Sequence, residues 1–334
     1  MQTTAFLVQA RHRICAGLGL VLALNAACAA SADCALTGAE QAWIDRSLSA
    51  WRLARTEHLR VDDEAMPPSI VFFNERCVFE GAGGAPWRGV AHEGSVMLPD
   101  GKAISPQVAS FAAPYAEGTR VFFAMALPSI WLAAGVPSEL GLETMMAAVL
   151  VHEMTHTRQF AAYTPRLDAL EKRHGLGDAL TDDIVQDTFG ANPDFVAAYE
   201  AERDLRYRAA AAPDDREARA LAGTALALMR ARRARFFTGE HARLLELEEI
   251  FLTMEGVGQS AGYAWLTHPR GGAIAPDTAL PGMRRGGRQW SQDEGLAIVL
   301  VVDRLVPDWQ ARAFAAVPAT TLDLLALAVT PKGR

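Results

Sequence analysis

Residues 144 to 156 read Thr-Met-Met-Ala-Ala-Val-Leu-Val-His-Glu-Met-Thr-His, eight uncharged residues that run into His152-Glu153-Met154-Thr155-His156. An apolar run of this kind reads as a buried helix. On a helix, positions i and i+4 share a face, so His152 and His156 can reach one metal ion while Glu153, one residue along, leans towards an open coordination position. A zinc ion held there acidifies a water that Glu153 can deprotonate as general base. The competing reading is a packed helix whose two histidines only hydrogen-bond to neighbours. Burying two His and a Glu on so apolar a helix is costly without a ligand to hold, and this favours the metal site.

The pattern HExxH, flanked by Val149, Leu150, Val151 and Thr157 with Met154 and Thr155 inside it, resembles the active-site helix of the zincin metallopeptidases. Arg158 departs from that pattern, where a hydrophobic residue is commoner. Catalytic zinc takes three protein ligands, and the long metzincin pattern would place Gly at 159 and His at 162. The chain has Gln159 and Ala162, so the resemblance is to the gluzincin type, in a bacterial exported branch, where a Glu on a downstream helix completes the site. Two positions fit. In Leu252-Thr-Met-Glu-Gly256, Glu255 is followed by Gln259 and Tyr263, an i, i+4, i+8 stripe that would put Tyr263 in place to donate to a developing oxyanion. The alternative is Glu200 in Glu200-Ala-Glu-Arg-Asp204, an ExxxD pattern. Glu255 is preferred for its apolar surroundings, because the segment around Glu200 alternates charges as an exposed helix does. His92, His268 and Arg288 are further candidates for substrate contact, each isolated in a loop-like context.

The resemblance implies an exported zinc-dependent metallohydrolase, a peptidase in which Glu153 activates water for amide hydrolysis of a peptide or protein substrate. Two alternatives stand beside it. One is a non-catalytic envelope binding or assembly protein with a structural metal site, and the other is a zinc hydrolase of non-peptide amides or esters.

Export is read from residues 1–32, which carry Arg11 and Arg13, no acid, an apolar core from Ile14 to Leu24 and then Ala30-Ser31-Ala32. This is the form of a signal peptide cleaved near Ala32. Its core is too short to cross a bilayer, which takes about 20 residues. A lipid anchor at Cys28 is the minority alternative. Loss of the two arginines takes the net charge from −7 to −9, which argues against nucleic-acid binding. The mature chain would then be periplasmic or secreted, without a transmembrane segment. Cys34 and Cys77 remain in it, and in an oxidising compartment they suggest a disulfide. Two separate buried thiols are the alternative.

Outward from the motif, the chain reads as an α+β fold, predominantly helical. Residues 33–334 form a single zincin-like domain in which a helix and small sheet (33–135) precede the motif helix (138–162). A helical region (165–266) that supplies the third ligand and C-terminal helices (288–334) follow. Thr37-Gly-Ala-Glu40 is a capping box that opens a helix to about Leu59. Ser69–Asn74 and Arg120–Ala126 have strand composition, with shorter extended pieces near Cys77 and Ser95. Asn192-Pro193 and Ala212-Pro213-Asp214 break the helical region, and Ser291-Gln-Asp-Glu294 reads as a second capping box opening a helix to Leu305. Arg230-Ala-Arg-Arg-Ala-Arg235 reads as a solvated helix face, and Leu322 to Val329 as an apolar segment that packs on the core. The loop from Gly81 to Lys102 is a candidate cover for the cleft.

Overall fold

A computed structural model describes residues 34–62, 67–83, 86–118 and 120–330. The expected leader, its cleavage site and Cys28 lie outside the described residues. No helix among the described residues is long and apolar enough to cross a membrane.

Helix α1 (Gly38–Leu53) starts where the capping box puts it. The Thr37 hydroxyl accepts from the Glu40 amide at 3.2 Å and the Glu40 carboxylate accepts from the Thr37 amide at 2.8 Å, so two orphan amides are satisfied reciprocally. The helix continues as a wider turn over Ala54–Leu59 and stops at Arg60, whose left-handed backbone (φ 52°) ends the helical ladder. Its buried face carries Trp43, Ile44, Leu48 and Trp51.

Seven short strands follow: β1 (Ser69–Phe73), β2 (Cys77–Gly81), β3 (Arg88–Ala91), β4 (Val96–Met97), β5 (Ala103–Ile104), β6 (Ser110–Pro114) and β7 (Val121–Ala126). Five make one sheet in the order β3-β2-β1-β7-β6, with β1 parallel to β7 and the other pairs antiparallel, while β4 and β5 pair by themselves. The continuous burial of Ile70, Val71, Phe72 and Phe73, and of Phe122 to Ala126, marks β1 and β7 as the centre of the sheet, covered on both faces.

Cys34 and Cys77 are joined in a disulfide that ties the segment ahead of α1 to β2. That segment crosses β3 so closely that a Cβ on Gly89 would lie 1.9 Å from the Cys34 carbonyl oxygen. The link closes a stretch with a sequence separation of 43, and such closures stabilise by roughly 2–4 kcal/mol. The Cys34→Ser, Cys77→Ser pair is expected to lower unfolding stability by that amount while leaving metal content unchanged. Urea titration beside elemental analysis measures both.

Helix α2 (Pro128–Ala133) leads to the motif helix α3 (Leu142–His174). The latter runs well beyond the expected end near residue 162, straight through Pro165, and stops at Gly175, whose φ of 59° is the left-handed conformation glycine supplies at helix ends. Lys172, Arg173 and His174 in the last turn complement the helix dipole. Then come α4 (Ile184–Phe189), α5 (Pro193–Ala210), α6 (Asp215–Phe236), α7 (Leu244–Thr267), α8 (Pro276–Arg284), α9 (Trp290–Leu305), α10 (Trp309–Ala313) and α11 (Thr321–Val329). The fold is therefore α+β with helix in the majority, as expected. Asn192 caps α5 and Asp214 caps α6 through their side chains, so both breaks fall where the sequence puts them. Leu324, Leu325 and Ala328 bury the face of α11 in the main core.

Two expectations fail. Ser291 is not a helix cap: α9 begins at Trp290 after Gln289, no side chain caps it, and Ser291 lies buried within the first turn. The short-range pattern matched, but the preceding chain enters the helix two residues early. The arginine run is also not a uniformly solvated face. Arg232 is fully buried and donates to Glu202 at 2.6 Å and to Glu248 at 2.9 Å, while Arg233 donates to Glu248 at 2.6 Å. Only partners from other helices, invisible at short range, make its burial possible.

Candidate metal centre

Helices α3 and α7 pack side by side, and small residues on α7 set how close they come. A Cβ on Gly258 would lie 2.9 Å from His152 Nδ1, and one on Gly262 would lie 3.1 Å from the Ala148 carbonyl oxygen. On the neighbouring face of α7, a Cβ on Gly256 would lie 2.6 Å from the Gly295 backbone of α9. The glycines cost helix propensity, about 1 kcal/mol each relative to Ala, and their return is backbone contact with two helices at once.

This approach brings Glu255 onto the two histidines of the motif. His152 Nε2 and His156 Nε2 are 2.8 Å apart, and they lie 3.1 Å from Glu255 Oε2 and 3.3 Å from Glu255 Oε1 respectively. All three side chains are buried, and among the described residues they form a group that could hold a metal ion. The separations approach the edge of about 3.3 Å expected for a tetrahedron with bonds near 2.05 Å. Neither Glu255 oxygen has a well-directed hydrogen bond despite these short contacts.

Charge follows from the same convergence. Burial works against ionisation of Glu255, but the two imidazoles hold its carboxyl well below the usual range. Burial also opposes a charge on His156, yet Glu255 outweighs it and raises that imidazole, whereas burial drives His152 down. One proton on His156 or one metal ion can thus satisfy the same carboxylate. Gln159 Oε1 lies 2.8 Å from His156 Nδ1. The amide oxygen can only accept, so it holds the proton on Nδ1 and leaves the Nε2 lone pair turned towards His152 and Glu255. The sequence signal was its place at i+3 on the motif helix.

Glu153 faces a different way. One carboxylate oxygen takes a hydrogen bond from the Ala112 amide of β6, the edge strand of the sheet, and Oε2 has no partner. Burial pushes its pKa up to about 8 in the metal-free chain. It opens onto a cleft lined by Leu140, Met145, Ala148, Val149 and Met283 on the apolar side, and by Gln259, Arg285 and Gln292 on the polar side.

The sequence candidates separate here. Gln259 lines the cleft and donates to Gln292. Tyr263, one turn further along α7, does not line it and lies half-buried against Ala148, Leu266, Ala279, Met283 and Leu296. Glu200 stays apart from the centre on α5, exposed and 3.9 Å from Arg203, and Asp204 also pairs with Arg203. His92 bonds to the Asn74 carbonyl and His268 to the Arg270 amide. Arg288 is exposed and donates to the Arg285 carbonyl. The residues that line the cleft beyond α3 and α7 are Leu140 and residues from 282–292, none from the loop Gly81 to Lys102.

Asp182 and Asp183 lie between α3 and α4, without a partner at one oxygen each. Burial first and the Glu255 charge second raise both, Asp183 to about 6. A folded-state value above the ordinary 3.8 means that the folded chain keeps a proton that the unfolded chain has released. Stability therefore falls as pH rises from about 4 through 6. In metal-free protein the unfolding midpoint is expected to drop across that window, and Asp183→Asn is expected to flatten the drop.

Gly258→Ala should separate the metal centre from the fold. Alanine favours the helix, but its methyl must push the His152 ring, so metal affinity is expected to fall roughly 10- to 100-fold with little change in stability. Competition against a chelator of known affinity reads the first, and thermal unfolding of the metal-free chain the second.

Comparison of the chain with protein-family models, with curated proteins and with solved structures returns no match.

Proposed function

We propose that this protein is an exported zinc-dependent hydrolase of amide bonds, a peptidase of the gluzincin type, in which His152, His156 and Glu255 hold the metal and Glu153 handles the proton. The observation that carries the proposal is the convergence of two buried imidazole nitrogens and the two oxygens of one buried carboxylate along the pairs given above, with a partnerless carboxylate oxygen on the neighbouring Glu153. Two imidazole nitrogens and a carboxylate oxygen suit Zn²⁺. The unsatisfied Glu255 oxygens fit the ion as well, since a buried carboxylate without hydrogen bonds needs a cation.

Bound zinc would supply positive charge that acidifies water and polarises a carbonyl. The remaining work falls to the protein. Glu153 would take a proton from the attacking water at Oε2 and pass it to the departing amine. The Ala112 amide fixes the carboxylate against the sheet edge. Leu140, Met145, Val149 and Met283 line the cleft with apolar surface, which reduces the screening of charges beside it.

The test is zinc per chain by elemental analysis, together with hydrolysis of a peptide library, for wild type and Glu153→Gln. About one zinc in both, with turnover only in wild type, is the expected result. Zinc in neither, even after reconstitution, would remove the hydrolase reading. Zinc in both with no turnover in either would favour a binding protein.

A further inference from the structure

The cleft beside Glu153 contains one cation, and that cation has no acidic partner. Arg285 belongs to Arg284-Arg285-Gly286-Gly287-Arg288, and the three arginines have different fates. Arg284 pairs with Asp293 at 2.8 Å and Arg288 turns back to the Arg285 carbonyl. Arg285 instead lines the cleft, deep enough that burial lowers its pKa. Its guanidinium has five donors and weak neutral company: Gln289 Oε1 at 3.4 Å and Met145 Sδ at 4.0 Å. No carboxylate of the described residues comes within salt-bridge distance, and Glu153 acts on it only at longer range.

The backbone adds a second observation. Arg285 has φ 48°, the left-handed region, which a side-chain-bearing residue enters only at a cost. Gly286 and Gly287, at φ 69° and 70°, follow it and make the tight turn possible. Gly282 meets Leu140 so closely that a Cβ would lie 2.6 Å from it, which fixes the end of α8 against the start of α3. The turn thus holds a half-buried cation over the same cleft that Glu153 opens onto, with apolar walls on the other side.

We propose that Arg285 receives a carboxylate of the molecule bound in this cleft and so makes the protein selective for anionic substrates. The planar fork of the guanidinium matches a carboxylate bidentately, and enclosure among Leu140, Met145 and Met283 strengthens the pair by excluding water. The carboxylate is either a free C-terminus or an acidic side chain. The proposal rests on the cleft being the substrate site, as argued above, but not on zinc.

The experiment uses the mature full chain, both stripped of metal and zinc-loaded, as wild type, Arg285→Gln and Arg285→Lys. The probes are 3-phenylpropionate and 3-phenylpropionamide, titrated calorimetrically. In the metal-free chain, where the acid cannot bind through zinc, wild type is expected to prefer the acid over the amide about 10- to 100-fold. Arg285→Gln should erase that preference and Arg285→Lys should keep part of it, with thermal unfolding of the variants unchanged. Acid and amide binding alike in wild type, an acid preference that survives in Arg285→Gln, or no binding of either probe would overturn the proposal. Failure of the chain to take up zinc would remove the hydrolase reading and leave this result standing. Two further probes, acetyl-Gly-Phe as the free acid and acetyl-Gly-Glu as the amide, then tell a terminal carboxylate from a side-chain one. Whichever shows the Arg285-dependent preference names the source.

Discussion

Glu255→Ala is expected to remove metal binding and, with it, turnover. Structural zinc sites with four ligands are worth about 10–16 kcal/mol, so one ligand contributes about 3 kcal/mol and its loss weakens the metal on the order of 100- to 1,000-fold. The hydrolytic rate should fall at least as far, because the remaining two imidazoles no longer fix the ion beside Glu153. Glu200→Ala is the informative control. Glu200 is exposed and holds only Arg203 at 3.9 Å, so its loss should change neither metal content nor rate. Chelator competition on the two variants decides the matter: metal lost with Glu200 and retained without Glu255 would reverse the assignment of the third ligand.

Arg232→Met is expected to cost about 3–5 kcal/mol of unfolding free energy. Arg232 is buried among Glu202, Glu248 and Glu294, and its guanidinium also lies 4.8 Å from the centre of the Phe195 ring. Removing the cation leaves Glu202 buried without its main donor and Glu248 with Arg233 alone, a penalty larger than the net worth of the pair itself. Adding Glu202→Gln to Arg232→Met should recover part of the loss, since it withdraws one of the stranded charges. Denaturant titration of the three proteins measures this. A loss below about 1 kcal/mol, as for an exposed pair, would mean that water reaches the network. The network also bears on the metal centre. Glu248 and Glu255 lie seven residues apart on one face of α7, so loosening the first should shift the second, and metal affinity should weaken in Arg232→Met as well.

The residues of the metal cluster differ in how far the sequence exposed them. His152, Glu153 and His156 follow from spacing alone, because an apolar helix imposes its periodicity on whatever residues it carries. Glu255 is favoured from sequence by its apolar surroundings, but its convergence with the two histidines is not legible there. It stood against Glu200, and the choice needed α7 to lie along α3 within glycine distance while Glu200 pointed to solvent. Tyr263 shows the limit of the stripe argument: Gln259 reaches the cleft, but Tyr263, one turn later, packs behind it and is not among the residues that line it. Arg285 could not be read at all. Three arginines lie within five residues there, and the left-handed turn at 285 decides which one faces the cleft.

The fold divides in the same way. The capping boxes and prolines that start α1, α5 and α6, and the runs that make β1 and β7, act within a few residues, so the sequence determined them, along with the mixed α+β class and the two histidines on one helix face. The sheet order, the passage of α3 through Pro165, the disulfide actually formed, the burial of Arg232 and the union of Glu255 with His152 and His156 depend on partners 30 to 100 positions away. Only the tertiary structure decided those, because burial of a charge or convergence of three ligand atoms is settled by which surfaces pack together, and local periodicity carries no record of that choice.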